Sequence, residues 1–87
     1  MLPIQDLLHR IRWDAEFGRG AFEVGYADRV AGGTVRVPFG DVRVEHGRLV
    51  VLNAFEEDGS LVVIPLHRVR EVWRDGRIIW ERSRLRT

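Results

Sequence analysis

The 87-residue chain predicts an α+β fold, with one N-terminal helix packed on a strongly curved antiparallel sheet or small barrel. Three observations carry that expectation. The apolar period is helical at the start, where Ile4, Leu7, Leu8 and Ile11 share one stripe, and becomes two from Ala21 onward. Glycine turns then separate short apolar runs, His46-Gly47 and Asp75-Gly76 among them. Finally, one frame is written twice, as Val37-Pro38-Phe39-Gly40-Asp41-Val42-Arg43 and as Ile64-Pro65-Leu66-His67-Arg68-Val69-Arg70. Each copy follows an apolar strand and precedes a glycine turn, so two strand-turn-hairpin units suggest a pseudo-symmetric scaffold. Where the copies differ, Gly40-Asp41 against His67-Arg68, function is to be sought.

The helix is expected over about residues 3–13, since Pro3 suits a first turn and Asp6 sits near the positive end of the dipole. His9, Arg10 and Arg12 lie off its apolar stripe. Gly18 and Gly20 mark a connector. Phe22, Val24 and Tyr26 then share one face of a half-buried strand that ends at Asp28-Arg29. After a turn at Ala31-Gly32-Gly33, Thr34 to Val37 is a strand that stops at Pro38, which has no N–H for a ladder. Val42 to Glu45 and Arg48 to Phe55 flank a hairpin at His46-Gly47, and Glu56-Glu57-Asp58-Gly59 is an acidic turn. Leu61 to Ile64 is apolar on both faces and predicts a central strand. Asp75-Gly76 is the strongest hairpin signal. Its register pairs Arg74 with Arg77, Trp73 with Ile78, Val72 with Ile79 and Glu71 with Trp80, which puts Trp73, Ile78 and Trp80 on one face. The tail after Arg82 is polar and expected to fray, and the whole is expected to be one domain.

Composition narrows the function classes. Hydrophobic residues make up 45% and charged residues 31%, as in globular proteins. There is no Cys, and the spacing of His9, His46 and His67 has no metal signature, so neither metal nor cofactor is expected. The apolar run Leu61 to Leu66 is far shorter than the roughly 20 residues of a membrane helix. A cytoplasmic protein without a membrane partner is expected. Net charge is +1, which argues against broad electrostatic attachment to nucleic acid. Its distribution is uneven, because every cationic residue among the 14 is Arg and seven of these fall from Arg68 onward.

The stretches Leu8-His9-Arg10-Ile11-Arg12-Trp13-Asp14, Gly25-Tyr26-Ala27-Asp28-Arg29 and Ile64-Pro65-Leu66-His67-Arg68-Val69 together resemble the RNA cyclic-group end recognition domain, a family of small archaeal and bacterial proteins. The likeness runs from about Pro3 to Arg82. It implies an RNA-binding module for ends that carry a 2′,3′-cyclic or related terminal phosphate, acting in RNA repair or processing beside RNA-processing enzymes. By resemblance the binding positions are Tyr26, Asp28, Arg29, His67 and Arg68, with no catalytic residue among them.

The chemistry of those residues fits. Arg29 and Arg68 offer guanidinium forks for phosphate oxygens. His67 can donate to a cyclic phosphate or ribose oxygen near neutral pH. Tyr26 follows the core alternation, so its ring is expected inside with its hydroxyl partnered, and Asp28 is expected to orient Arg29 or His67 as an acceptor. The C-terminal arginines are expected to steer the strand. Trp13, Trp73 and Trp80 are expected in the core rather than as stacking platforms, His9 on a solvated face and His46 in a turn. Two other functions compete. A cyclic-phosphate phosphodiesterase or nuclease would use His67 as acid or base, but Ile11, Arg48 and Val69 stand two residues after the histidines, where paired His-x-Thr/Ser motifs need a hydroxyl. A protein-interaction adaptor needs only a sheet edge.

Overall fold

The computed structural model describes residues 3–28 and 32–82. The helix α1 spans Ile4–Trp13. Seven strands follow: β1 Phe22–Asp28, β2 Gly33–Pro38, β3 Val42–Glu45, β4 Arg48–Phe55, β5 Leu61–Pro65, β6 Val69–Arg74 and β7 Arg77–Glu81. Pro3 opens α1, and the apolar stripe buries Leu7, Leu8 and Ile11. Beyond its C-terminus the Asp14 carboxylate accepts the backbone N–H groups of Glu16 and Phe17, which turns the chain toward β1.

The strands form two antiparallel sheets, ordered β2-β1-β6-β7 and β3-β4-β5, and not the closed barrel that was one of the expectations. The reason lies in the two proline frames. Strand β2 ends at Pro38 and β5 at Pro65, and each proline leads into a single turn of 3-10 helix, Phe39–Asp41 or Leu66–Arg68. At these points the chain passes from one sheet to the other, because a proline ends the ladder and fixes the exit angle. Both prolines share one backbone conformation, φ −61° and ψ 142° against φ −59° and ψ 142°. The likeness does not extend to the sheet order, since among the described residues β4 is paired on both sides whereas β7 pairs with β6 alone.

Leu7, Leu8 and Ile11 of α1, Val24 and Val72 of the larger sheet, and Leu49 and Val51 of the smaller one meet in a shared core. Each such aliphatic side chain contributes about 1.5–3 kcal/mol by leaving water. Arg12 ties the helix to the smaller sheet by donating to the Val42 carbonyl at 3.1 Å. Hairpin turns behave as the sequence predicts, with positive φ at both His46 and Gly47 and at both Asp75 and Gly76.

Three expectations are corrected. Among the described residues, strand β5 is an edge that pairs with β4 alone, and its Val63 is 41% exposed. An apolar outer face there was mistaken for a buried one. In the β6–β7 hairpin, Trp73 opposes Ile78 as expected, but Val72 opposes Trp80 and Glu71 opposes Glu81. Ile79 is thus an extra residue, a β-bulge that turns Trp80 inward and leaves Ile78 outside. Trp73 consequently parts company with Trp80: it is half-buried, capped by the Arg36 guanidinium 4.1 Å above its ring. Trp13 is not core at all, being 71% exposed at the end of α1. The fraying expected after Arg82 concerns positions outside the described residues.

Candidate functional site

Tyr26 and Asp28 are at the end of β1, and His67 and Arg68 lie on the turn between β5 and β6. Strand pairing brings the two stretches together. Tyr26 opposes Val69 across a bulge, so the turn just before β6 lies beside the last residues of β1. Arg68 seals this meeting, its Nη2 donating to the Ala27 carbonyl at 2.7 Å. Leu66 is buried and anchors the other end of the turn. Arg82 holds the turn from beneath, with Nε donating to Val69 O at 2.8 Å and Nη2 to Leu66 O at 3.0 Å.

A hollow of about 480 Å³ opens at this junction, and Tyr26, Asp28 and Arg68 all line it. Phe55, Val63 and Glu56 of the β4–β5 hairpin also line it. Among the described lining residues, one guanidinium therefore accompanies two carboxylates. The Tyr26 ring is buried, as expected. Burial raises its phenol above the ordinary 10.0; the Asp28 carboxylate pushes the same way and Arg68 partly offsets both. The hydroxyl therefore remains protonated, and a hydrogen-bond donor, throughout the physiological range.

The other expected site residues fare differently. His67 is exposed on the same turn as Arg68 but does not line the hollow. Arg29 lies outside the described residues, as does the Ala31 part of the expected turn. Of the C-terminal arginines expected to steer a strand, Arg74 and Arg82 are engaged with backbone carbonyls, of Arg19 and of the turn before β6. Each therefore acts as a brace. Arg84 and Arg86 lie outside the described residues.

Phe55 is the residue that sequence reasoning missed. Strict alternation from Leu49 and Val51 would carry it into the core, yet it is 64% exposed. The pairing jumps from Val51↔Val62 to Phe55↔Leu61, so alternation ends after Val51. Asn53 was the available signal, since an amide in a supposedly inward slot marks the break. It donates instead to the Asp41 carboxylate at 3.1 Å. An open aromatic face beside a guanidinium can stack a base while the cation holds its phosphate.

Comparison with known families matches residues 1–82 to the family described as the MJ1316 RNA cyclic group end recognition domain. No solved structure matches the chain.

Proposed function

Because the chain belongs to the MJ1316 RNA cyclic group end recognition domain family, we propose that the hollow at Arg68 receives the 2′,3′-cyclic phosphate end of an RNA, as a step of RNA repair or processing. One observation carries this reading: Arg68, Tyr26 and Asp28, 40 or so positions apart in sequence, line one hollow, with the guanidinium braced on the Ala27 carbonyl. The bracing matters because an arginine already held in place loses less freedom when it grips an anion. In this reading Arg68 holds the phosphate, the Tyr26 hydroxyl donates to a phosphate or ribose oxygen, and Phe55 stacks the last base. His67, exposed one residue away, serves ligand atoms that project beyond the hollow, and Arg29, next after Asp28, adds a second cation.

The charges in the hollow favour a cyclic end over a linear one. A cyclic phosphodiester carries one negative charge, whereas a terminal monoester carries about −1.5 to −2 near neutral pH. Asp28 and Glu56 line the hollow with Arg68, and in this reading their carboxylates disfavour each further negative charge on the ligand. The carboxylates accept instead from hydroxyl and amino groups of the nucleotide. Fluorescence anisotropy with one short RNA carrying a cyclic phosphate, a linear 3′-phosphate or a 3′-hydroxyl tests the reading. The cyclic end is expected to bind most tightly, and equal affinity for all three ends would overturn it.

A further inference from the structure

We propose that the groove between α1 and the β3–β4 hairpin is a second RNA subsite, which takes an unstacked base and its phosphate upstream of the end held at Arg68. The inference rests on the reading of the Arg68 hollow as the RNA-end site. The groove, about 710 Å³, has Leu8 and Val44 among its apolar lining and carries Arg12, Arg43, His9 and His46 on its walls. Trp13 stands in it 71% exposed, with the His9 ring 6.3 Å away and tilted by 52°. An indole left in water at the edge of a groove that also carries guanidinium groups is what single-stranded nucleic acid uses, because every base offers a face to stack and every nucleotide a phosphate to neutralise.

Acidic groups are present but partly answered. Asp6 and Glu45 also line the groove, and Glu45 is paired with Arg43 at 2.6 Å. Arg12 spends one N–H on the Val42 carbonyl and lies over the Phe39 ring at 5.0 Å, which fixes its position and leaves the rest of its fork for a ligand.

Continuity with the first hollow selects an RNA strand as the occupant. Glu45 and His46 of the groove also line a smaller hollow beside Arg48 and Val63, and Val63 in turn lines the Arg68 hollow. The three depressions thus follow one another through shared lining residues, from the one that Phe55 lines to the one that Trp13 lines. In this proposal a strand whose terminus sits at Arg68 follows that succession to Trp13.

Two cyclic-phosphate RNAs, a dinucleotide and one of about eight nucleotides, within the span a small domain covers on a single strand, provide the test. Trp13→Ala is expected to weaken the longer RNA about five- to a hundredfold, the worth of one stacked base, and to leave the dinucleotide unchanged, with Trp13→Phe restoring much of the loss. Arg43→Gln should reduce the slope of log K against log salt for the longer RNA by about 0.7. Unchanged affinity of Trp13→Ala for the longer RNA, including the case in which the groove holds a protein instead, overturns the subsite and leaves the end reading standing. Equal affinity of the parent chain for the cyclic- and hydroxyl-ended longer RNAs, with the Trp13 effect present on both, supports the subsite while removing the end reading.

Discussion

Replacing Arg68 probes the proposed site most directly, because its guanidinium has a structural and a ligand-binding role that can be measured apart. In the folded chain its Nη2 donates to Ala27 O at 2.7 Å, so Arg68→Ala strips a half-buried carbonyl of a donor and costs about 1–3 kcal/mol of stability. It also removes the guanidinium that lines the hollow. A charge-assisted hydrogen bond to an anion contributes about 1.5–3 kcal/mol, so affinity for a cyclic-phosphate RNA should fall about ten- to a hundredfold or slightly more. Arg68→Lys separates the two roles. Its single ammonium can serve Ala27 O or the phosphate but has no fork to span both, so the loss should be intermediate. Urea unfolding gives the stability term, and anisotropy titration of the cyclic-phosphate and hydroxyl ends, well below the unfolding transition, gives the binding term. If Arg68→Ala remains folded and binds the cyclic end as tightly as the parent chain, the assignment of this hollow fails.

Other consequences follow from the same geometry. Tyr26 has a raised phenol pKa, so the folded state favours the protonated ring; that stability is fully present below 10.0 and is lost as pH climbs through the raised value. Urea midpoints followed from neutral pH to about 11 should fall more steeply for the parent than for Tyr26→Phe, and superimposable curves would contradict the burial of the hydroxyl. Leu49→Ala, at a side chain with 0% exposure, should cost about 2–5 kcal/mol in urea unfolding, a large part of what such a chain has; a loss under about 1 kcal/mol would mean that the core is not shared between the sheets. Gly18→Ala would set a Cβ 2.4 Å from Ile11 O and 3.0 Å from Asp14 O, both backbone atoms. A cost of about 1–3 kcal/mol is expected, seen as a Tm lower by about 4–8 °C per kcal/mol, and an unshifted melt would mean that the turn after α1 runs differently.

Much of this arrangement was legible in the residues, and the failures share a cause. Helix α1, the positive-φ hairpins and the strand-ending prolines follow from local chemistry: an apolar stripe, a dipeptide that tolerates left-handed backbone, a ring without an N–H. Where one extra residue enters a ladder, local chemistry says little. Ile79 reverses the facing of Trp80 with no residue type to announce it, and the irregularity that turns Phe55 out is marked only by the Asn53 amide. Sheet order is likewise a matter of the whole molecule, which is why β5 read as central. Among the expected site residues, Tyr26, Asp28 and Arg68 share a hollow while His67 does not line it. Periodicity places Tyr26 inward, but whether a residue in a one-turn 3-10 segment points in or out depends on what packs below it, here Leu66 and Arg82.

Arg82 bears on how short a working version of this protein can be. Its side chain reaches Val69 O and Leu66 O, and its backbone N–H donates to Arg70 O at 2.8 Å. The last strand ends one residue earlier, at Glu81, so a truncation or fusion junction designed on strand boundaries would cut at Glu81 and discard this anchor. Such a protein would keep every strand and still present a loosened Leu66–Arg68 turn, failing as a binder while passing as folded. The family match closes at residue 82, and the minimal unit should be drawn there.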